Sequence, residues 1–286
     1  MRVEKFKATS SQKLSNELLS AIPELSYNSV QKLIRNKDVK VNGARVKEDI
    51  KLSVGDTVEC YLASVKPQIE IIYEDDNIAV CFKPRKIEVT SETEETDLRQ
   101  KLSDQLKTEC FAVHRLDRNT EGLVIFAKNN SAKNSLDFAI KQRNLEKYYL
   151  ALVHGKLERL CDDMTAYLKK DSARSLALIS DTDKAGYEKI ETKYKLIEQY
   201  DNHALVEVEL ITGKTHQIRA HFAHIGHFVI GDEKYGDSKI NKEFKKKYQC
   251  LCAYRLVFHF GKNDFLSYLD GKIVELDKNK IDFINR

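Results

Sequence analysis

The N-terminal part of the chain carries two helical patterns followed by a hairpin pattern. Apolar side chains recur at helical spacing over 11–22, where Pro23 ends the predicted helix, and again over 29–37. The dipeptide Asn42-Gly43 lies between two short valine-containing runs, which is a strong signal for a two-residue hairpin turn. The pattern therefore predicts a small α/β unit of two helices and a hairpin sheet.

The rest of the chain is dominated by strand patterns. Strands are predicted at 69–73, 78–82, 123–128, 148–154, 187–197 and 204–210, and helices at 131–143 and after Thr215. Residues 86–109 are polar and show no clear period. Because the strands outnumber the helices and do not alternate with them regularly, the pattern predicts an α+β fold around a mixed, mostly antiparallel sheet.

Length and charge indicate two domains. The chain has 286 residues, of which 42% are hydrophobic and 32% are charged, as is usual for globular proteins that bury a core. The net charge is +4, and residues 1–66 alone hold 12 basic and 8 acidic side chains, so the remainder is neutral. We predict a basic module at 1–66 and a larger domain at 67–286, although on charge alone an ordinary solvated surface explains the excess better.

The composition also bears on the compartment. No apolar run reaches the roughly 18–20 residues that a membrane helix needs, and the polar first residues are not followed by the apolar segment of a secretory signal. The six cysteines fit the cytoplasmic compartment as reduced thiols, and Cys250 and Cys252 are assigned a structural role because no second cysteine pair lies at metal-ligand spacing. We therefore expect a cytoplasmic protein that does not act on membranes.

The first segment with chemical character is 114–122, whose sequence is HRLDRNTEG and which precedes the apolar run 123–127. A carboxylate at the mouth of a buried strand has a pKa and a reactivity that depend on its partners, so Asp117 is a candidate catalytic group. The segment by itself is nevertheless more typical of a surface loop with an Arg–Asp ion pair.

The second segment, 210–227, contains four histidines within twelve residues. No two of these histidines are four residues apart, and the segment lacks the glutamate of a zinc-protease helix, so we predict no metal site. Arg219 lies among apolar neighbours and, if buried, needs a carboxylate partner. Asp232 and Tyr235 are interpreted as structural turn residues.

Four segments in order carry a resemblance to a known family. Residues 114–127 resemble the His-Arg-Leu-Asp-x-x-Thr-x-Gly-Leu motif of the RluA-type RNA pseudouridine synthases, and 147–155 resemble their Lys-x-Tyr strand. Residues 212–236 are similar to the family's Thr-Gly-x-Thr-His-Gln-Ile-Arg segment that ends in Gly-Asp-x-x-Tyr-Gly, and 251–258 to its closing Ala-Tyr-Arg-Leu strand. Residues 12–62 resemble an S4 RNA-binding domain.

The resemblance implies an α+β catalytic domain with a mixed, mostly antiparallel sheet, preceded by a small S4-like α/β RNA-binding domain. The implied activity is isomerisation of uridines in structured RNA, with ribosomal RNA favoured over transfer RNA. Such an isomerisation needs no cofactor or metal, and the small module and neutral body are compatible with a monomer. The alternative is a non-catalytic RNA-binding or ribosome-assembly protein on the same fold.

The resemblance also assigns the catalytic residues. Asp117 aligns with the catalytic aspartate, as nucleophile or as base at C2′, and Arg219 aligns with the arginine that pairs with it. Tyr149 aligns with the active-site tyrosine, although Tyr148 would take its place if the strand register differed by one residue.

The remaining assignments concern RNA binding. Arg115 aligns with a side chain that fills the space left by the extruded base, while His114 and Thr120 belong to the same loop, where His114 is expected to support the loop. Lys32 and Arg35 are expected to contact phosphates without reading bases. The chain departs from the family pattern at 84–97, where Arg85 stands in place of the usual glycine, which puts substrate contacts by this loop in doubt.

Overall fold

The protein divides into two compact units, Met1–Gln68 and Ile69–Arg286. The structure is a computed structural model that describes residues 2–23, 25–62, 68–93 and 97–284. The expected domain boundary, between residues 66 and 67, lies outside the described residues, as do three residues of the divergent loop at 84–97. None of the helices in these ranges has the length and apolar content needed to cross a bilayer.

The first unit packs two helices against a four-stranded antiparallel sheet. Its elements are β1 (Arg2–Lys7), α1 (Leu14–Ala21), α2 (Tyr27–Arg35), β2 (Val39–Val41), β3 (Ala44–Arg45) and β4 (Thr57–Leu62). The strand order is β1-β4-β2-β3. Leu14 and Leu18 of α1, Val30 of α2 and Val58 of β4 are fully buried in the shared core.

Local chemistry explains the boundaries in this unit. Asn42 and Gly43 both have positive φ, of 48° and 83°, so the predicted two-residue turn joins β2 and β3. The first helix begins later than predicted because the preceding segment folds onto the buried Glu17, whose Oε1 accepts a hydrogen bond from the Thr9 amide at 2.8 Å. Strand β1 was not predicted, because its apolar positions are interrupted by charges and Val3 stays half exposed.

The second unit is built on one large sheet. Its strands are β5 (Ile71–Glu74), β6 (Ile78–Lys83), β7 (Phe111–Ala112), β8 (Glu121–Ala127), β9 (Leu145–His154), β10 (Cys161–Asp171), β11 (Leu176–Ser180), β12 (Glu188–Gln199), β13 (His203–Leu210), β14 (Leu251–Phe258) and β15 (Ile273–Glu275). Its helices are α3 (Leu98–Leu106), α4 (Asn130–Lys141), α5 (Gln217–His224) and α6 (Ser238–Glu243), with 3₁₀ turns at Ser267–Leu269 and Lys278–Lys280.

The strands follow the order β11-β10-β12-β13-β9-β14-β8-β6-β5, with β7 beside β8 and β15 beside β14. Only β8 and β14 pair in parallel, and the other described pairs of this sheet are antiparallel. The predicted α+β fold with a mixed, mostly antiparallel sheet is therefore confirmed.

Both faces of the central strands are covered. Every residue of β8 is buried, with Ile125 on the α4 side and Val124 on the side of α3 and α5. Burial on two faces explains why β8 appears in the sequence as a continuous apolar run. In contrast, β10 was not predicted because its exposed positions carry many polar groups, and α3 was not predicted because the 86–109 segment is mostly polar. The short strand β11 was also not predicted, although four of its five residues are apolar.

Gly122 is required where β8 meets β14. It pairs with Ala253 at φ +126°, and a Cβ at this position would lie 2.2 Å from the Ala253 carbonyl oxygen. Backbone atoms cannot move aside as a flexible side chain can. A glycine is therefore needed directly after the loop that carries Asp117.

We expect Gly122→Ala to lower the free energy of unfolding by about 2–5 kcal/mol, because overpacking adds to the strain of a positive φ. Gly186→Ala is the matched control: its φ is +80°, but only the flexible Lys169 side chain lies nearby, at 3.7 Å. That control should lose about 1–2 kcal/mol, the conformational cost alone. Equal losses in urea unfolding would contradict the importance of the close approach.

Candidate active site

Residues from three of the sequence motifs line one cavity of about 120 Å³. The loop before β8 contributes Asp117, the middle of β9 contributes Tyr149, and the start of α5 contributes Arg219. These three side chains are far apart in sequence, and the antiparallel pairing of β9 with β13 and β14 brings their elements together.

Arg219 connects two carboxylates at the cavity. Its Nη1 lies 2.7 Å from Asp117 Oδ2, while Nε and Nη2 lie 2.6 and 2.8 Å from the two oxygens of Asp232. Arg219 is 5% exposed, and burial disfavours its charge, but the hydrogen bonds and charges of the two aspartates outweigh this and raise its pKa. The guanidinium is therefore a permanently charged bridge between two carboxylates.

Asp232 does more than shape a turn. It is fully buried, and its Oδ1 accepts hydrogen bonds from the backbone amides of Lys234, at 2.8 Å, and Tyr235, at 3.2 Å. The turn interpretation is thus incomplete, because the same carboxylate holds two nitrogens of Arg219 in a forked contact. The sequence signal that could have revealed this role is the need of a buried Arg219 for a carboxylate.

Asp117 itself faces the cavity. Its side chain is 22% exposed, and the Arg219 contact uses Oδ2. The turn that presents it is closed by a hydrogen bond from the Thr120 amide to the Asp117 carbonyl at 3.0 Å. One carboxylate oxygen is thereby fixed on the arginine while the group remains accessible from the cavity.

Tyr149 and Tyr148 point to opposite faces of β9. Tyr149 is 5% exposed and lines the cavity, and burial together with the nearby Asp117 charge raises the pKa of its phenol, which therefore stays protonated. Tyr148 instead donates to Glu146 at 2.7 Å and stacks against Arg255. The strand register thus places Tyr149, rather than Tyr148, beside Asp117.

His216 was considered at the sequence level only as a metal ligand. It precedes α5 with a positive φ of 58°, its Nδ1 lies 2.9 Å from the Tyr235 hydroxyl, and its Nε2 lies 3.9 Å from Asp117 Oδ2. Burial lowers the pKa of His216, so the ring is mainly neutral at neutral pH. Among the described residues, no three histidine, cysteine or acidic side chains are placed to hold a metal ion.

Some of the other residues of the 114–122 segment hold the loop in place, and others are exposed at the surface. His114 Nε2 accepts a hydrogen bond from the Ile125 amide at 3.0 Å, and burial, with the charge of Lys147, lowers its pKa to about 3. Thr120 is 2% exposed and accepts a hydrogen bond from Gln249 at 3.1 Å. These contacts favour a supporting role for both, whereas Arg115 is exposed and lines the cavity mouth.

Hydrogen bonds and an ion pair join the divergent loop at 84–97 to the 114–122 segment. The buried Lys83 Nζ donates to the carbonyls of Pro84, Ile87 and Arg118 at 3.1, 2.8 and 3.0 Å, and burial lowers its pKa to about 8. Arg85 forms ion pairs with Glu121 at 2.6 Å and Asp282 at 3.0 Å. The residue that departs from the family pattern therefore stabilises the base of β8.

A larger cavity of about 470 Å³ adjoins the first and shares Arg115, Asp117 and Arg219 with it. Basic side chains on its wall include Arg118, Lys170, Lys234 and Lys247. The predicted RNA contacts Lys32 and Arg35 lie in the first unit, exposed on the last turn of α2.

We expect Asp232→Asn to reduce the free energy of unfolding by about 3–5 kcal/mol, because it leaves a buried guanidinium with half of its counter-charge. Asp117→Asn should lose no more than about 1 kcal/mol, since Asp117 is partly exposed and the forked contact to Asp232 persists. Urea unfolding of both variants tests this difference. A smaller loss for Asp232→Asn than for Asp117→Asn would refute the assignment of Asp232 as the main anchor.

Comparison with known proteins agrees with this geometry. A family model described as RNA pseudouridylate synthase matches residues 77–224. An RNA pseudouridine synthase of Mycoplasma genitalium is 34% identical, covering 88% of this chain and 86% of that protein. The ribosomal large subunit pseudouridine synthase C of Vibrio vulnificus is 30% identical, covering 80% of this chain and 78% of that protein.

Solved structures share the fold. Human RNA pseudouridylate synthase domain containing 1 superposes with a TM-score of 0.59 at 23% identity, covering 75% of this chain and 91% of that one. The matched residues 77–224 contain Asp117, Tyr149 and Arg219, the three side chains gathered at the cavity. By its sequence, its fold and its relatives, the chain belongs to the RNA pseudouridylate synthase family.

Proposed function

We propose that this pseudouridine synthase converts uridines of ribosomal RNA to pseudouridine, with Asp117 as the reacting carboxylate. The observation that carries the proposal is the Asp117–Arg219 contact of 2.7 Å at a cavity walled by Tyr149. The name of the Vibrio vulnificus relative supports a ribosomal substrate. With such a substrate, the reaction would take place in the cytoplasm, the compartment that the sequence predicts.

The reaction breaks the bond between N1 of uracil and C1′ of ribose, turns the base, and rejoins it through C5. Asp117 either attacks C1′ or removes the C2′ proton, and both routes need the ionised carboxylate. Arg219 supports that state because a buried cation lowers the energy of a neighbouring anion. It also fixes one carboxylate oxygen, so that the other can face the sugar.

Tyr149 and His216 complete the wall around the reacting carboxylate. The flat ring of Tyr149 offers a surface on which uracil stacks, and its protonated hydroxyl positions a water that receives the C5 proton. The neutral His216, 3.9 Å from Asp117 through its Nε2, restricts the carboxylate on a second side. The residues assigned to this site all belong to one chain, and we propose that the protein acts as a monomer.

The target uridine must leave its stack to reach Asp117. Flipping a nucleotide costs roughly a few kcal/mol, part of which is recovered if a side chain occupies the gap. Arg115 suits this role because it is exposed where the two cavities meet. Its planar guanidinium stacks on neighbouring bases.

The first unit, residues 1–66 by our sequence-based division, is proposed to act as an S4-like RNA-binding domain. Besides Lys32 and Arg35, it presents Lys40 and Arg45 around one aromatic ring, with Lys40 Nζ at 5.1 Å and Arg45 Cζ at 5.5 Å from the centroid of Tyr61. Basic groups next to an aromatic ring suit phosphate contacts and base stacking.

We expect Asp117→Asn to abolish pseudouridine formation, with a loss of at least about 10³-fold in rate, because the amide is neither a nucleophile nor a base. RNA affinity should stay within about threefold, since phosphate contacts dominate binding. Pseudouridine mapping on ribosomal RNA and filter binding measure the two quantities. An active variant would refute the mechanism, and an inactive wild type that still binds RNA would support the non-catalytic alternative.

The basic wall of the larger cavity is expected to hold phosphates next to the target nucleotide. The double variant Lys234→Gln/Lys247→Gln should reduce the slope of log affinity against log salt by about 1.4, or about 0.7 for each lost contact to single-stranded RNA. Lys141→Gln/Lys262→Gln, which removes two exposed lysines elsewhere on this unit, is the control and should leave the slope unchanged. Equal slopes for the two double variants would refute this RNA path.

A further inference from the structure

Lys147 is a cavity residue to which the mechanism above gives no task. It lies on β9 two positions before Tyr149, and alternate residues of a strand share one face. Both side chains line the 120 Å³ cavity. The ammonium group is therefore carried by the same wall as the proposed stacking ring, about 7 Å along the strand from it.

The Lys147 ammonium has no counter-charge in the described part of the chain. Its Nζ makes no hydrogen bond and no ion pair there, although the side chain is only partly exposed. Other lysines of the region are satisfied: Lys83 donates to three carbonyl oxygens, and Lys214, in the same cavity, pairs with Glu188. Lys147 is thus a donor directed into the cavity without an acceptor.

Burial makes this arrangement unfavourable for the protein alone. Desolvation lowers the pKa of Lys147. Burial, together with the positive charge of Lys147, lowers the pKa of His114. The carboxylate of the cavity, Asp117, is already held by Arg219. A desolvated ammonium without a partner is expected where a ligand supplies the acceptor.

We propose that Lys147 donates a hydrogen bond to a carbonyl oxygen of the target uracil and stabilises the negative charge that this base acquires when it is detached. The inference rests on the proposed function. If uracil stacks on Tyr149 with its sugar toward Asp117, the base extends along the wall that carries Lys147. A preorganised cation at that edge is worth most when the charge develops.

The electron count is the same for both roles of Asp117. If Asp117 attacks, a bond forms between C1′ and the Asp117 oxygen as the C1′–N1 bond breaks. If Asp117 acts as a base, it takes the C2′ proton as the C1′–N1 bond breaks. In either case the electron pair of the broken bond stays with uracil, shared by N1, O2 and O4. When C5 bonds to C1′, the C1′–O bond to Asp117 breaks and its electron pair returns to the carboxylate, or, on the base route, Asp117 returns the proton to C2′. The C5 proton then leaves and N1 takes up a proton, so no external reactant is needed.

The test uses the full-length protein and a ribosomal RNA fragment that the wild type modifies, with its target uridine replaced in turn by 2-thiouridine and 4-thiouridine. We expect Lys147→Met to slow single-turnover conversion of normal RNA by about 10²-fold, with RNA affinity within about threefold of wild type. Lys147→Arg should recover part of the rate. Lys195→Met, which removes an exposed lysine of β12, is the control and should match wild type.

The thio substitutions identify the contact, because sulfur is a poorer acceptor than oxygen. One of them should slow the wild type by about tenfold and Lys147→Met by less than about twofold, the coupling expected of a direct partner. Equal effects in both enzymes, or a Lys147→Met variant that loses RNA affinity instead of rate, would overturn the proposal in favour of a phosphate contact.

A folding defect is excluded by thermal unfolding of Lys147→Met, whose apolar side chain suits the partly buried position. Loss of conversion in Asp117→Asn on the same RNA tests the proposed function separately. If Asp117→Asn is inactive while Lys147→Met converts the RNA at the wild-type rate, the result supports the proposed function and contradicts the proposed role of Lys147.

Discussion

The site depends on one buried guanidinium that two carboxylates share. Arg219 is held by the fully buried Asp232 through two nitrogens, and its third nitrogen reaches Asp117 at the cavity. A charge buried in this way is tolerated only with its counter-charges in place. The fold must therefore bring together helix α5, the turn after it and the loop before β8. The contacts among these three segments set the position of the Asp117 carboxylate.

The backbone around this bridge is equally constrained. Gly122 allows β8 to approach β14 closely, and Lys83 joins the divergent loop to the loop that carries Asp117 by donating to carbonyl groups of both. Arg85, which replaces a glycine of the family pattern, joins Glu121 to Asp282 at the base of β8. The divergent loop thus retains a structural task at the site despite its altered sequence.

Much of this arrangement could be predicted from the sequence. The Asn42-Gly43 turn and the central apolar strands follow from local signals, and the order of four motifs brought Asp117, Tyr149 and Arg219 to attention. Strand β10 and helix α3 were missed because polar residues interrupt their apolar positions. Contacts such as Arg219–Asp232 were missed because a buried polar network has no period in sequence; it is specified only when the fold brings its members together.

The account makes the forked geometry of Arg219, rather than its charge alone, the feature that positions Asp117. Arg219→Lys keeps the charge, but a single ammonium cannot span both carboxylates as the guanidinium does. The most direct test is the single-turnover rate of pseudouridine formation by this variant at saturating enzyme. We expect a loss of at least about 10²-fold with RNA binding preserved. A rate close to that of the wild type would contradict the central claim.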